Sequence, residues 1–488
     1  MRRSGIRMAL LASAIGLAAT PAAADTLREA LNEAYRTNPT LEAARANQRA
    51  NDENVPIQKA AGRPNVSATA THIEFLKRST NSFTAPERTF SAGADLAVPI
   101  YSGGAVKNGI RAARTRVSAG QANLRATESA IFSLVVAAYM DVIRNQAIVG
   151  LSANQVNVLS VNLQATSDRF EIGDLTRTDI AQSQSRLAVA QSDLRSSQAN
   201  LIAAREAYIQ LVGSAPDNLQ PPPPLPALPA TAADAVAAAL EYNPDLIAAR
   251  ENAKAAEIDI KVTRANRLPT VSLFAGSDYT DYYGTLGGPA AVEFAQSETT
   301  ANAGVQISIP IFQGGRPAAL ERQAQARASA ALEQEIAAER DAIAQVRAAY
   351  ASWQASSAII ESSQAAVAAA ELSLEGVRAE NTVGNRTVLD ILNAEQELLS
   401  ARVQLVTARR NAYVAGFSLL AAMGRAEARD LGLDEEALLY DPQVNFDRVQ
   451  GKWFDWDGDP VPAAQSTRTI DIPAPGAEIP ATEDSQSN

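Results

Sequence analysis

The sequence predicts a mainly α-helical protein with a membrane β-barrel, to which each chain contributes four strands and several long coiled-coil helices. Three observations predict this fold class. The second half of the chain repeats the first, each half contains one long helical stretch, and each half contains one pair of alternating strands. Four strands are too few to close a membrane barrel, so strands of several copies must join edge to edge.

Residues 1–24 predict a secretory signal peptide, with a basic start, an apolar stretch from Met8 to Ala18 and a small-residue cleavage site at Ala22–Ala24. The full chain carries a formal net charge of −11 and contains no cysteine. The acidic balance argues against nucleic acid as a partner, and the missing cysteine argues against a lipid anchor behind the signal. We therefore expect an exported protein without disulfides.

Beyond the signal, we find no uninterrupted apolar run of the roughly 18 residues that a membrane-spanning helix needs. The stretch from Ile131 to Met140 is too short. If the exported chain crosses a membrane, β-strands are expected to do so.

An internal repeat organises the rest of the chain. Asn38-Pro39 recurs as Asn243-Pro244, and Pro99–Gly104 recurs as Pro310–Gly315 at a slightly larger spacing. The change in spacing places an insertion within the second strand pair, which indicates a surface loop. The predicted divisions are the signal peptide 1–24, a first repeat 25–220, a proline-rich linker 221–229, a second repeat 230–424, and a C-terminal extension 425–488 that is disordered at its end.

Each repeat is predicted to contain a strand pair, a long helix, a tip and a return helix. These lie at about 65–99, 105–171, 172–176 and 177–213 in the first repeat, and at about 270–310, 316–382, 383–387 and 388–424 in the second. Apolar residues recur every seven positions in the first return helix, which predicts left-handed coiled-coil packing: Ile180, Leu187, Leu194, Leu201 and Tyr208. Because the return helices are short, we expect the helices 39–61 and 244–267 to stack end to end on them.

The strand pairs alternate apolar and polar residues, and they are long enough for tilted membrane strands of about 9–11 residues. Val66, Ala68 and Ala70 share one face of the first strand. Aromatic residues near the strand ends are expected to form girdles at the membrane interfaces: Tyr101, Phe274, Tyr279, Tyr282, Tyr283 and Phe312.

Three segments resemble signatures of the TolC family of outer-membrane efflux proteins: AGVQISIPIFQGG (303–315), RFEIGDLTRTDI (169–180) and NTVGNRTVLDILNAEQELLSARVQL (381–405). The resemblance covers residues 26–424. It implies a homotrimer with a twelve-stranded β-barrel in the outer membrane and a periplasmic α-helical barrel of twelve columns. It also implies docking by a periplasmic adaptor (a membrane fusion protein) and an inner-membrane ABC-type or other pump.

The same resemblance assigns the helical tips to adaptor contact, through Ile172, Gly173, Asp174, Val383, Gly384 and Asn385. Family members typically have Val-Gly followed by Leu or Thr, so Asp174 and Asn385 depart from the pattern. Each glycine also has a simpler interpretation, because a left-handed glycine ends a helix.

A periplasmic gate is implied next to the tips, formed by Thr178, Asp179, Arg386 and Asp390. In the family such residues hold the periplasmic end shut through hydrogen bonds and ion pairs. Asp390, repeated around a symmetry axis, would form a ring of carboxylates that selects cations. Asn381 and Asn393 stand where the family often has a tyrosine and a second acid, so a weaker gate is expected. The alternative is that these are ordinary solvated surface pairs.

Enzyme function is not expected. The chain has one histidine, His72, and no nucleophile motif, and neither Gly103-Gly104 nor Gly314-Gly315 has the lysine and spacing of a phosphate loop. We therefore expect no catalytic residues, cofactor or metal.

Two export functions stay open, type I protein secretion and efflux of drugs or other small molecules. The absence of a lipid-anchor cysteine, the TolC resemblance and the acidic, tryptophan-containing C-terminal extension favour type I secretion. A more distant alternative is a soluble periplasmic coiled-coil scaffold, against which the four strands argue.

Overall fold

The structure is a computed structural model that describes residues 26–77, 85–226, 228–287, 294–433 and 439–478. The predicted signal peptide, Ala227 of the proline-rich linker and the end of the C-terminal extension lie outside the described residues. The helices and strands of the described residues are α1 (Leu27–Thr37), α2 (Pro39–Asp52), α3 (Asn54–Ala60), β1 (Asn65–Glu74), β2 (Arg88–Ser102), α4 (Ala105–Glu171), α5 (Arg177–Val212), α6 (Ala232–Tyr242), α7 (Pro244–Arg264), β3 (Thr270–Asp281), β4 (Ser297–Ser308), α8 (Arg316–Thr382), α9 (Val388–Ala422) and α10 (Pro442–Val449).

The four strands form one antiparallel sheet in the order β1-β2-β3-β4, so the two repeats join through β2 and β3. The register separates two faces. One face is apolar, because Val66 lies opposite Leu96, which lies opposite Ala275, and Ala275 lies opposite Ala303. The other face is polar and carries Ser67, Asp95, Asp278 and Asn302. An apolar outer face and a polar inner face are what a membrane channel requires.

The register corrects one predicted girdle residue. Phe274 lies opposite Ala97 and Gly304, on the polar face of the sheet. Its ring lies over Gly304, where an added Cβ would approach Phe274 Cζ to 2.8 Å. A spacing of one residue moves a side chain to the other face of a strand, and proximity to a strand end does not reveal that parity.

The long helices α4 and α8 have 67 residues each, which corresponds to about 100 Å. Helix α5 packs on α4, α9 packs on α8, and α7 lies between α4 and α8. Four strands and long paired helices confirm the protomer architecture expected from the sequence.

The duplicated Asn-Pro pairs join helices end to end, as predicted. Asn38 caps α2 by accepting from the N–H of Thr40 at 3.0 Å, while its Nδ2 donates to the Leu211 carbonyl of α5 at 2.9 Å. Asn243 caps α7 in the same way and donates to the Ala422 carbonyl of α9 at 3.0 Å. One asparagine thus satisfies backbone groups at two helix ends and aligns the two helices as one column.

The main hydrophobic core lies near the middle of α4, where Phe132, Val135, Val136, Tyr139 and Val142 are fully buried. Among the described residues, α4 alone contains an 18-residue window apolar enough to cross a membrane, and half of that window is buried in the protein. The sequence-based search for an uninterrupted apolar run missed this window. Packing between helices accounts for its apolar character.

The described part of the C-terminal extension packs against helices α2 and α5 of the first repeat. Helix α10 packs on α2, where the Asn445 amide donates to the buried Asp52 carboxylate at 2.7 Å. Farther on, Arg205 of α5 donates to the Glu478 carbonyl at 2.8 Å. The extension therefore covers the first repeat.

Candidate functional site

The two helical tips share one backbone geometry. Gly173 has φ +85° and Gly384 has φ +81°. In the first tip the N–H of Gly173 donates to the Phe170 carbonyl and that of Asp174 to the Arg169 carbonyl, both at 2.9 Å. The corresponding pairs repeat at the second tip, at 3.0 Å each. These bonds define a Schellman motif, in which the left-handed position favours glycine.

The apolar residue before each glycine is exposed. Ile172 is 81% exposed and Val383 is 70% exposed. No atom lies within 4 Å of a Cβ added at Gly173 or Gly384, so the surface around each turn is open. A rigid turn thus presents one large apolar side chain at each predicted adaptor-contact site.

Side-chain charges differ between the tips. Arg169 forms an ion pair with Asp174 at 2.6 Å in the first tip. Arg386 forms an ion pair with Glu380 at 2.6 Å in the second, and the Asn381 amide donates to the Arg386 carbonyl at 2.7 Å. The first tip pairs its charges around Asp174, whereas the second has neutral Asn385 at that place.

Asp179 and Asp390 begin the return helices as members of capping boxes. The Asp179 carboxylate accepts from the Thr176 hydroxyl at 2.7 Å and from the Thr176 N–H at 2.9 Å. These hydrogen bonds hold the pKa of Asp179 below its usual value. Asp390 accepts the corresponding bonds from Thr387 at 2.8 and 2.9 Å, and they likewise lower its pKa. Both carboxylates are therefore ionised at neutral pH.

Within one protomer the four predicted gate residues do not form one cluster. Asp179 and Asp390 bond to their own caps, Arg386 pairs with Glu380, and Thr178 is exposed near the start of α5. The sequence analysis missed Glu380. The sequence feature that indicates this ion pair is the position of Glu380 six residues before Arg386, on the other side of a short turn.

The two hairpins also meet above the tips. Arg186 of α5 donates to the Asn393 side chain of α9 at 2.8 Å. Nearby, Leu159, Ala190 and Leu392 form a small buried cluster, against which Leu187 and Val388 pack. The sequence analysis treated Asn393 only as a missing acid, whereas the structure makes it the acceptor that joins the hairpins.

Comparisons with known proteins agree with this geometry. The family model described as outer membrane efflux protein matches residues 30–214 and 235–425. The outer membrane efflux protein BepC of Brucella suis is 33% identical over 92% of this chain and 96% of its own length. The alkaline protease secretion protein AprF of Pseudomonas aeruginosa is 29% identical over 61% of this chain and 62% of its own. The crystal structure of the outer membrane protein VceC of Vibrio cholerae has a TM-score of 0.69 at 22% identity, covering 82% of this chain and 96% of VceC.

The predicted trimeric channel architecture and the predicted outer-membrane location are those of this family, which comprises transport channels rather than enzymes. The resemblance to TolC is also confirmed. With both repeats matched by the family model and 33% identity to BepC over 92% of its length, this chain belongs to the outer membrane efflux protein family.

Proposed function

We propose that this protein is the outer-membrane duct of an export machine, in which a periplasmic adaptor docks at the helical tips and an inner-membrane pump drives the cargo. The observation that carries the proposal is the pair of exposed apolar residues, Ile172 and Val383, on matching Schellman turns. An apolar side chain on a rigid turn contributes binding energy at little conformational cost. The predicted contact residues Gly173, Asp174, Gly384 and Asn385 complete the two surfaces.

The gate lies beside these contacts. Asp390 of three copies forms an acidic ring around the channel axis, with Asp179, Thr178 and Arg386 between neighbouring hairpins. Support comes from the capping boxes, which keep both aspartates ionised and hold them at a fixed height on the helices. Such a ring favours cations. Opening then requires the hairpins to move apart while each tip keeps its own hydrogen bonds.

Type I protein secretion is the cargo class that we favour, because AprF, a relative in both repeats, is named for alkaline protease secretion. Efflux of small molecules is the second candidate. It is favoured by BepC, which is named an efflux protein and matches nearly the whole chain.

Tip docking is tested by cross-linking, for which the chain is suited because it contains no cysteine. Ile172→Cys and Val383→Cys, treated with a thiol-reactive photo-cross-linker in intact cells, should each capture an adaptor of the membrane fusion type identified by mass spectrometry. Leu134→Cys, at an exposed position far up α4, is the matched control. Equal capture from all three positions, or none from the tips, contradicts tip docking.

Cargo class is tested in a deletion strain complemented with the native gene or with Ile172→Asp/Val383→Asp. Type I secretion predicts that specific proteins disappear from the culture medium while drug sensitivity changes little. Drug hypersensitivity with an unchanged set of secreted proteins would favour small-molecule efflux instead.

A further inference from the structure

Two exposed apolar patches lie at opposite edges of the sheet, both at the end where strands meet helices. The first is the aromatic loop, residues 452–459, in which Trp453, Phe454 and Trp456 are 56%, 80% and 98% exposed. The second lies between β4 and α8, where Ile311 is 96% and Phe312 is 88% exposed. Apolar patches of this kind mark contact surfaces.

The aromatic loop is held at the start of the edge strand β1. The Arg63 guanidinium lies 4.5 Å from the centre of the Trp453 ring, and its Nη1 donates to the Lys452 carbonyl at 2.7 Å. Lys59 donates to the Gln450 carbonyl at 2.6 Å. Since Arg63 precedes Asn65 by two residues, a span of at most about 7 Å, the loop contacts the segment that leads into β1.

The equivalent segment of the first repeat indicates what the second patch contacts. Tyr101, the equivalent of Phe312, extends β2 and lies opposite Val271 at the start of β3. Gly103, the equivalent of Gly314, is so close to the second repeat that an added Cβ would lie 2.8 Å from both the Ala265 carbonyl and Leu268 Cβ. In the second repeat, Cβ atoms added at Gly314 and Gly315 would meet nothing within 4 Å.

Strands β4 and β1 are the repeat equivalents of β2 and β3. The same arrangement is therefore expected at the junction between copies, where β4 of one copy meets β1 of the next. The equivalents of Val271, Ala265 and Leu268 are Val66, Ala60 and Arg63. Phe312 of the neighbouring copy is therefore expected opposite Val66, with its Gly314 against Ala60 and Arg63. This register keeps Ile307 opposite Ala70, so the apolar faces of the two copies are continuous.

Arg63 thus has two neighbours, the loop within its own chain and Gly314 of the next chain. We propose that the aromatic loop of one copy covers residues 311–316 of the neighbouring copy and stabilises the strand junction. The C-terminal extension then contacts a second copy of this chain, at the foot of the barrel.

Charge complementarity supports this occupant. Arg316 follows Gly315 and is exposed, whereas the equivalent residue in the first repeat is Ala105. The aromatic loop supplies Asp455, Asp457 and Asp459. Asp457 and Asp459 each bond to Lys452 at 3.3 Å, and Asp459 also pairs with Arg448 of α10 at 2.7 Å, so Asp455 is the aspartate that faces Arg316 in the proposed contact. An arginine therefore replaces alanine only at the junction that an acidic loop adjoins.

Disulfide trapping in the cysteine-free chain tests the contact. Phe454→Cys/Ile311→Cys and Trp456→Cys/Ile311→Cys should give covalent trimers in oxidised outer membranes, because linked Cα atoms must lie within about 7 Å. Val66→Cys/Phe312→Cys tests the junction itself. Trp456→Cys/Leu76→Cys is the distal control, since Leu76 is an exposed residue at the other end of the sheet.

If Val66→Cys/Phe312→Cys forms a disulfide but neither Ile311→Cys variant does, the proposal is overturned. It is also overturned if Val66→Cys/Phe312→Cys forms no disulfide. Linkage of the distal control shows non-specific oxidation and contradicts it as well. A lipid occupant is distinguished by fluorescence, because the chain has three tryptophans. In Trp353→Phe protein reconstituted into phosphatidylethanolamine–phosphatidylglycerol vesicles, strong quenching by brominated acyl chains without loop cross-links assigns the loop to the membrane and overturns the contact between copies.

Discussion

The two repeats share one backbone plan, yet equivalent residues have different surroundings. Glu128 of α4 accepts from the Ala428 N–H at 2.6 Å and lies beside Glu427, whereas its equivalent, Glu339 of α8, is about half exposed. Arg45 is buried between Tyr35 and Tyr440, whereas its equivalent Arg250 lies beside Glu335 at 3.8 Å. The difference arises because the C-terminal extension covers Glu128 and Arg45 of the first repeat, through Ala428 and Tyr440, and does not cover their equivalents in the second.

The long helices show the same asymmetry. Helix α4 is surrounded by α1, α2, α3, α5, α7 and α9 of its own chain, and it buries more than twice as many residues as α8, although Leu134 is exposed. Helix α8 contacts α6, α7 and α9 and leaves large apolar residues exposed. These exposed residues are Leu332, Ile336, Ile359 and Leu372. A duplicated sequence thus need not bury equivalent positions within one protomer, because α9 packs on both long helices whereas α5 packs on α4.

The largest expected difference between the repeats lies in the core. Phe132→Ala should lower the free energy of unfolding by about 3–5 kcal/mol, because Phe132 is fully buried and a cavity would remain. Ile343→Ala, at the equivalent, partly exposed position, should cost clearly less. Urea unfolding of the detergent-solubilised protein, followed by circular dichroism, measures both. Equal losses would contradict the asymmetry.

Glu128 predicts a pH dependence of the stability. Burial, with a smaller contribution from Glu427, raises the pKa of Glu128 to about 7. A carboxyl with a raised folded pKa destabilises the fold as pH rises from about 4.5 to 7, and the cost persists above that range. Glu128→Gln should therefore stabilise the protein by about 3 kcal/mol at pH 8 and flatten its stability between pH 4.5 and 7.

Thermal unfolding at pH 5 and pH 8 checks this prediction. Glu339→Gln is the matched control and should change the stability by less than about 1 kcal/mol, because Glu339 is about half exposed and its ion pair with Arg250 spans 3.9 Å. A stabilisation by Glu339→Gln as large as that by Glu128→Gln would show that cover by the extension is not the cause.

The Asn-Pro junctions should respond alike in both repeats, because their hydrogen bonds are alike. Asn38→Ala and Asn243→Ala each remove a helix cap and leave a carbonyl at the end of a return helix, Leu211 of α5 or Ala422 of α9, without its donor. Each should cost about 1–2 kcal/mol in urea unfolding. Asn38→Ser and Asn243→Ser keep a capping oxygen but lose the amide donor, so they should cost less. A large effect in one repeat only would contradict the shared role.

The smallest expected effect is at the tips. Hydrogen bonds from Thr176 and Thr387 lower the folded pKa values of Asp179 and Asp390, so their stabilisation is present above about pH 4 and is lost as pH falls through the folded values. Hydrogen exchange at the starts of α5 and α9 should therefore be unchanged between pH 7 and 5 after correction for intrinsic rates. Asp179→Asn and Asp390→Asn should accelerate it locally. Acceleration across the whole of α5 or α9 would contradict a capping role.

Local sequence patterns predicted much of this protein. The long helices begin after Gly-Gly pairs and end at left-handed glycines, and each signal acts within a few residues along the chain. The Thr-x-x-Asp boxes that begin the return helices are equally local, although they were recognised only in the structure. Strand alternation likewise predicted an apolar and a polar face. The tip residues could therefore be named, although their adaptor and gate roles came from resemblance.

The sequence by itself determined the repeat, the helix ends, the strand periodicity and the need for further copies, since these depend on local periodicity, capping and strand number. Only the tertiary structure decided that Arg386 pairs with Glu380 and that Asn393 binds Arg186. It also decided that the extension covers Glu128 and not Glu339. These features depend on which distant segments meet, and side-chain spacing along one chain carries no information about that choice.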